Sequence, residues 1–119
     1  MSTNIFRITT EELPTFLQAG SPGKVIVYRK PDCGFCSAQI GALREPAKAF
    51  RGGIDFAFCD ITGKTDFCRE HSVSSLPTTE FYRNGALLDR VSGFLPHELV
   101  AEKLRALGFD PAAEEPKQK

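Results

Sequence analysis

The sequence has no run of 18 or more apolar residues, so nothing in it reads as a membrane-crossing helix. It has no excess of charge: 15 Lys and Arg balance 15 Asp and Glu. No basic or acidic block marks a nucleic-acid or anionic-membrane face, so neither is expected as a partner. The stretch "MSTNIFRITTEELP" lacks a basic segment followed by an apolar run, and a cytoplasmic setting is expected. There are no internal repeats and no tryptophan. The two histidines, His71 and His97, form no ligand pair.

What is present fits one domain. The chain has 119 residues, 41% of them hydrophobic, enough to bury an ordinary core without disulfide staples. In a reducing compartment its four cysteines point to catalysis or metal binding rather than structural disulfides.

Hydrophobic periodicity gives the order of elements. A short strand is expected over 4–9, and a helix over 10–20 that opens on the capping-box spacing of Thr9 and Glu12. "KVIVYR" (24–29) is a continuous apolar run of the kind that forms a buried parallel strand. A helix from Gly34 to Phe50 follows, with Ile40, Leu43, Ala47 and Phe50 as its stripe and a kink at Pro46. A strand over 52–60 and a short helix over 63–72 come next. "TTEFYR" (78–83) and "ALLDRV" (86–91) flank Asn84-Gly85, the preferred pair for a type I′ hairpin. Pro96 to Leu107 is the clearest helix, with Gly108 as its stop. Residues 110–119 have too few apolar side chains to pack and read as a flexible tail after a domain of residues 1–109. Strands alternating with helices give an α/β fold of three layers, with four to five strands flanked by about four helices.

The chemistry is concentrated in "PDCGFC". Cys33 falls where a buried strand hands over to a helix, the end of an α/β sheet that carries function. A helix N-terminus offers free N–H groups and the positive end of the dipole, which suit a thiolate. Cys36 lies three residues on, facing nearly the same side of the first turn. One sulfur can attack a disulfide and the other can resolve the mixed disulfide that forms. Gly34 would ease the tight start of the helix, and Phe35 offers an apolar contact to an incoming chain. Zinc is disfavoured, because Cys59 and Cys68 are eight residues apart internally and no fourth-ligand pattern completes the set.

The sequence resembles thioredoxins and their close thioredoxin-fold relatives. The resemblance rests on "CGFC" at 33–36 and "LPT" at 76–78, with forty residues between Cys36 and Pro77, then on "FYRNG" and on "VSG" ending at Gly93. It covers about residues 4–108. It implies a thioredoxin fold with a mixed sheet, and thiol–disulfide exchange through Cys33 and Cys36 with no cofactor. Pro77 would be a cis-proline facing the cysteines, with Phe35, Leu76 and Gly93 beside the substrate and Phe94 lining the same groove. Disulfide-containing proteins would be the substrates, and a flavoprotein reductase or another dithiol the electron donor. The protein would act as a monomer. A disulfide oxidase or isomerase, a glutaredoxin-like protein and a non-enzymatic binding module remain as alternatives.

Two departures stand out. The family usually carries Trp before the first cysteine, where this chain has Asp32, and a buried Asp six residues before it, where this chain has Val27. Asp60 is then the candidate proton acceptor for Cys36, while Asp32 opposes a thiolate at Cys33 and Arg29 and Lys30 offset it. Cys59 and Cys68 read as buried apolar residues, or as a pair of regulatory thiols.

Overall fold

A computed structural model describes residues 5–112. In chain order the elements are β1 (Ile5–Ile8), α1 (Leu13–Gln18), β2 (Gly23–Arg29), α2 (Gly34–Ala42), α3 (Arg44–Ala49), β3 (Ile54–Asp60), α4 (Thr65–Glu70), β4 (Thr78–Arg83), β5 (Ala86–Ser92) and α5 (His97–Ala106). Residue 4 of the expected first strand, and the expected tail from residue 113 on, lie outside the described residues.

The sheet runs β1-β3-β2-β4-β5. β3 pairs parallel with both β1 and β2, whereas β4 pairs antiparallel with β2 and with β5. Both faces of the central strands are covered, and this explains why "KVIVYR" is apolar without alternation. On one face Val25, Val27, Phe56 and Phe81 pack with Leu43, Ala47, Phe50, Val100 and Leu104 from α2, α3 and α5. On the other, Ile26, Tyr28, Ala57, Cys59 and Tyr82 pack with Leu13 from α1 and with Phe67 and Cys68 from α4. Helix, sheet and helix therefore form the three layers of the thioredoxin fold.

Local signals act as expected at the hairpin and at α1. Asn84 and Gly85 both take positive φ (53° and 84°), as a type I′ turn requires. Thr9 Oγ1 accepts the Glu12 N–H (3.0 Å) while Glu12 Oε1 accepts the Thr9 N–H (2.9 Å), a reciprocal capping box. The regular helix begins only at Leu13, with Pro14 in its first turn. Pro96 stands one residue before α5 rather than inside it, and its carbonyl accepts the N–H groups of Leu99 and Val100.

One expected element is corrected. The single helix over 34–50 is two helices, with the break at Leu43 and no kink at Pro46 itself. Proline has no N–H for the carbonyl four residues back, and its ring clashes there. That carbonyl belongs to Ala42, the last residue of α2, so the chain breaks one turn ahead of the proline. The extra helix brings the count to five among the described residues.

Among the described residues the two fully buried charged side chains, Lys24 and Glu80, lie on the α1/α4 side. Lys24, 1% exposed, meets Asp55 at 2.6 Å. Glu80, fully buried, accepts from Tyr28 Oη (2.8 Å), Tyr82 Oη (2.7 Å), Arg90 Nε (2.9 Å) and Arg90 Nη2 (2.8 Å). The carboxylate is thus paired and hydrogen-bonded, the condition for leaving a charge inside a core.

Candidate active site

β2 ends at Arg29, and the chain turns through Lys30–Asp32 into α2. The turn is closed by the Cys33 N–H on the Lys30 carbonyl (3.2 Å). Cys33 is the N-cap of α2, with extended backbone (φ −100°, ψ 110°). Its sulfur accepts the Cys36 N–H at 3.2 Å, as an oxygen does in a capping Ser or Asp. Its carbonyl accepts the N–H groups of Cys36 and Ser37.

The two thiols differ in environment. Cys33 is partly exposed and Cys36 is 0% exposed. Burial pushes the Cys36 thiol up to about 11, and its hydrogen bond to the Cys33 sulfur adds to the rise. The Lys30 N–H and the Arg29 charge act in the opposite direction. The outer sulfur can therefore meet a substrate, and the inner one stays protonated until a disulfide forms beside it. Gly34 takes no positive φ, and a Cβ there would meet nothing within 4 Å. Neither the backbone nor the space requires glycine at the helix start.

Three segments converge on this pair. Leu76-Pro77 is a cis peptide, as expected. Tyr28 pairs with Thr78, so the residues one step beyond, Arg29 and Pro77, meet at the adjoining ends of β2 and β4. The Pro77 carbonyl accepts the Gly93 N–H at 2.8 Å. Gly93 takes φ +91°, with nothing within 4 Å of an added Cβ, so its glycine serves the backbone turn. Phe35, 68% exposed, faces Phe94 with ring centroids 6.4 Å apart. Leu76 is partly buried and packs against the cluster on the other face of the sheet.

Gln39 was not singled out from sequence, yet it organises the site. Fully buried on α2, it accepts the Leu95 N–H (2.7 Å) and donates to the Leu95 carbonyl (2.8 Å). It thereby staples the 93–95 loop to the cysteine helix, while the Gly93–Pro77 bond ties the same loop to the cis-proline. The available signal was a glutamine three residues after Cys36, on the helix face that should be apolar.

The expected roles of the other polar residues change. Asp60 does not serve the Cys36 thiol. Its Oδ1 is held by the Thr62 N–H (2.8 Å) and hydroxyl (2.6 Å), and these bonds keep its carboxyl below the usual range. Val27 is buried between Phe58 and Thr79 in the sheet register, so no carboxylate lies there. Asp32 and Lys30 are exposed. The His71 ring stacks on Phe67 at 4.0 Å, and its Nδ1 lies 3.1 Å from the Phe67 carbonyl. Cys59 and Cys68 are free thiols in one core cluster on the far face of the sheet. Burial first, then the nearby Asp60 and Glu11 carboxylates, pushes the Cys59 thiol up to about 12.

A mixed sheet that presents a strand-to-helix dithiol beside a cis-proline defines a dithiol domain of the α/β class. Residues 4–106 match the family model described as Thioredoxin. The thioredoxin of Staphylococcus epidermidis is 27% identical over 100 residues, 84% of this chain and 94% of its own. Chloroplastic thioredoxin z superposes with a TM-score of 0.78 at 21% identity, covering 90% of this chain and 96% of that one. Oxidised thioredoxin from Plasmodium falciparum superposes with 0.74 at 15% identity, covering 87% and 98%. The chain belongs to the thioredoxin family, whose members are oxidoreductases.

Proposed function

We propose that the chain reduces disulfides in proteins by dithiol exchange through Cys33 and Cys36. The observation that carries this reading is the asymmetry of the pair. Cys33 is open to solvent at a helix N-cap, and Cys36 is buried directly behind it with its N–H on the Cys33 sulfur.

The Cys33 thiolate attacks one sulfur of a substrate disulfide, and the other sulfur leaves as a thiolate. Cys36 gives up its proton and attacks the Cys33 sulfur, releasing the second substrate thiolate. The two substrate thiols leave reduced, and the protein keeps the Cys33–Cys36 disulfide. A flavoprotein reductase or another dithiol supplies two electrons and two protons to reopen it. The exposed Phe35 and Phe94 rings form the apolar rim against which a substrate segment rests. Gly93, bonded to Pro77, leaves that rim open. No helix of the described residues is long and apolar enough to cross a membrane, and the reading includes a monomer acting in the cytoplasm.

The test is turnover of a protein disulfide by two variants. Cys33→Ser is expected to abolish reduction, and Cys36→Ser to accumulate mixed disulfides visible by mass. Full activity in Cys33→Ser would refute the mechanism. The direction of exchange is read from the reduction potential of the pair. A value near ~−270 mV fits a reductase, and one near ~−120 to −180 mV would overturn that in favour of an oxidant or isomerase.

A further inference from the structure

Cys36 is the buried thiol that must ionise for exchange to finish, and Asp60, at the end of β3 on the same face of the sheet, is bonded to Thr62. The strand below offers a cation instead. Arg29 stands two residues beyond Val27 and projects on the same face of β2, the face covered by α2. Its guanidinium lies 5.6 Å from the Phe58 ring centroid, and its Nε is buried without a hydrogen-bond partner. An unpartnered buried donor on a charged group is costly unless negative charge forms close by. Ionised Cys36 is that charge. At the same strand end the Lys30 N–H and the Arg29 charge both favour its ionised form.

We propose that Arg29 is the counter-charge for the Cys36 thiolate, a positioning residue that takes the place of a buried acid in the resolving step. The inference rests on the dithiol reading of Cys33 and Cys36. In that step the Cys36 S–H bond breaks and its proton goes to solvent. The new S–S bond forms between Cys36 and Cys33, and the Cys33–substrate S–S bond breaks with its electron pair on the departing sulfur. When a donor dithiol later attacks Cys33, Cys36 departs as the thiolate, again beside Arg29, before taking a proton from water. A fixed cation stabilises the thiolate itself in both directions, whereas a buried carboxylate takes the proton in one and returns it in the other.

The other groups around Cys36 leave this role open. α2 contributes Gln39, committed to Leu95, and the Cys33 sulfur. β3 contributes the apolar Phe58 and Asp60, the register neighbour of Arg29, whose carboxylate is bonded to Thr62 and also feels the Arg29 charge without forming an ion pair with it. β4 contributes Thr79, whose buried hydroxyl has no partner and no charge. The 30–33 turn contributes exposed Lys30 and Asp32.

The test is a titration of Cys36 in a Cys33→Ser background, which needs no disulfide substrate. The Cβ resonance of Cys36 is followed by NMR in protein carrying isotope-labelled cysteine. Arg29→Met is expected to raise the midpoint by about one unit, a tenfold loss of thiolate at neutral pH, and Arg29→Lys to keep most of the wild-type value. An unchanged midpoint in Arg29→Met, or an equal shift in both variants, overturns the proposal. Should Arg29→Met fail to unfold cooperatively, Arg29→Gln is read against the same two outcomes. Loss of protein-disulfide turnover in Cys33→Ser concerns the dithiol reading alone and does not move this midpoint.

Discussion

The closing attack of Cys36 on a Cys33 mixed disulfide is expected to accelerate about tenfold for each pH unit, from neutrality to about pH 8. With its thiol near 11, only about one Cys36 in ten thousand is ionised at neutral pH, against about one in a hundred for a thiol at its ordinary 9.0. Two of the causes that raise it involve Cys33, through the hydrogen bond and the charge between the sulfurs. Both vanish once Cys33 is bound in a mixed disulfide. Burial, the largest cause, remains, so the midpoint in the intermediate falls between about 9 and about 11. Mixing the reduced protein with a chromogenic aromatic disulfide separates the steps. Cys33 releases a first coloured thiol at a rate set by reagent concentration, and Cys36 releases a second at a rate that is not. Cys36→Ser should show the first phase only. A second-phase rate that levels off below about pH 8 would refute the reasoning, because it would mean that a base assists Cys36 where the structure places none.

Two further perturbations test the far face of the sheet. Glu80→Ala leaves two tyrosine hydroxyls and the Arg90 guanidinium without their acceptor, and should cost about 3–5 kcal/mol in urea unfolding. Tyr28→Phe removes one of four donors to a carboxylate that keeps the rest, and should cost only about 1 kcal/mol. Equal costs would mean that the network does not act as a unit. Cys59 predicts alkaline lability. Its folded thiol is raised to about 12, so the neutral form stabilises the fold below the ordinary 9.0, and that contribution is lost as pH rises toward 12. Tyr28 and Tyr82 are also raised by burial and act in the same direction. Urea midpoints should fall across that window, and less steeply in Cys59→Val. A flat profile in the wild-type protein would contradict the burial of all three groups.

What could be read from the sequence was what acts locally. The Asn84-Gly85 turn, the Thr9–Glu12 capping box and the strand-to-helix position of Cys33 each depend on residues within four of one another. Pro46 was misplaced because its effect falls four residues upstream, on Ala42. Asp60 was misassigned although its partner Thr62 is only two residues away, since an Asp-x-Thr turn competes with any longer reach toward Cys36. Gln39 and Glu80 could not be placed, because the groups that satisfy them lie far along the chain. Gln39 bonds a loop 56 residues on, and Glu80 bonds a tyrosine 52 residues back. A polar residue in an apolar segment announces that it needs a partner without saying which.

The period of two along β2 ties these observations together. Even-numbered Lys24 and Tyr28 point to the α1/α4 side, where Asp55 and Glu80 await them. Odd-numbered Val25, Val27 and Arg29 point to the side that carries the cysteines. The same parity runs along β4, which sends Glu80 and Tyr82 to one side and Thr79 and Phe81 to the other. All fully buried charge therefore lies across the sheet from Cys36, among the described residues. The layer beneath the thiol holds apolar side chains, the Thr79 hydroxyl and, at the strand ends, the Arg29 guanidinium and the Thr62-bonded Asp60 carboxylate. Such a layer offers Cys36 a cation, while its carboxylate is held by Thr62. A one-residue slip of β2 would reverse the arrangement, placing Tyr28 beneath the cysteines and Arg29 among the tyrosines. The register that buries the core is thus the same feature that decides how the resolving thiol ionises.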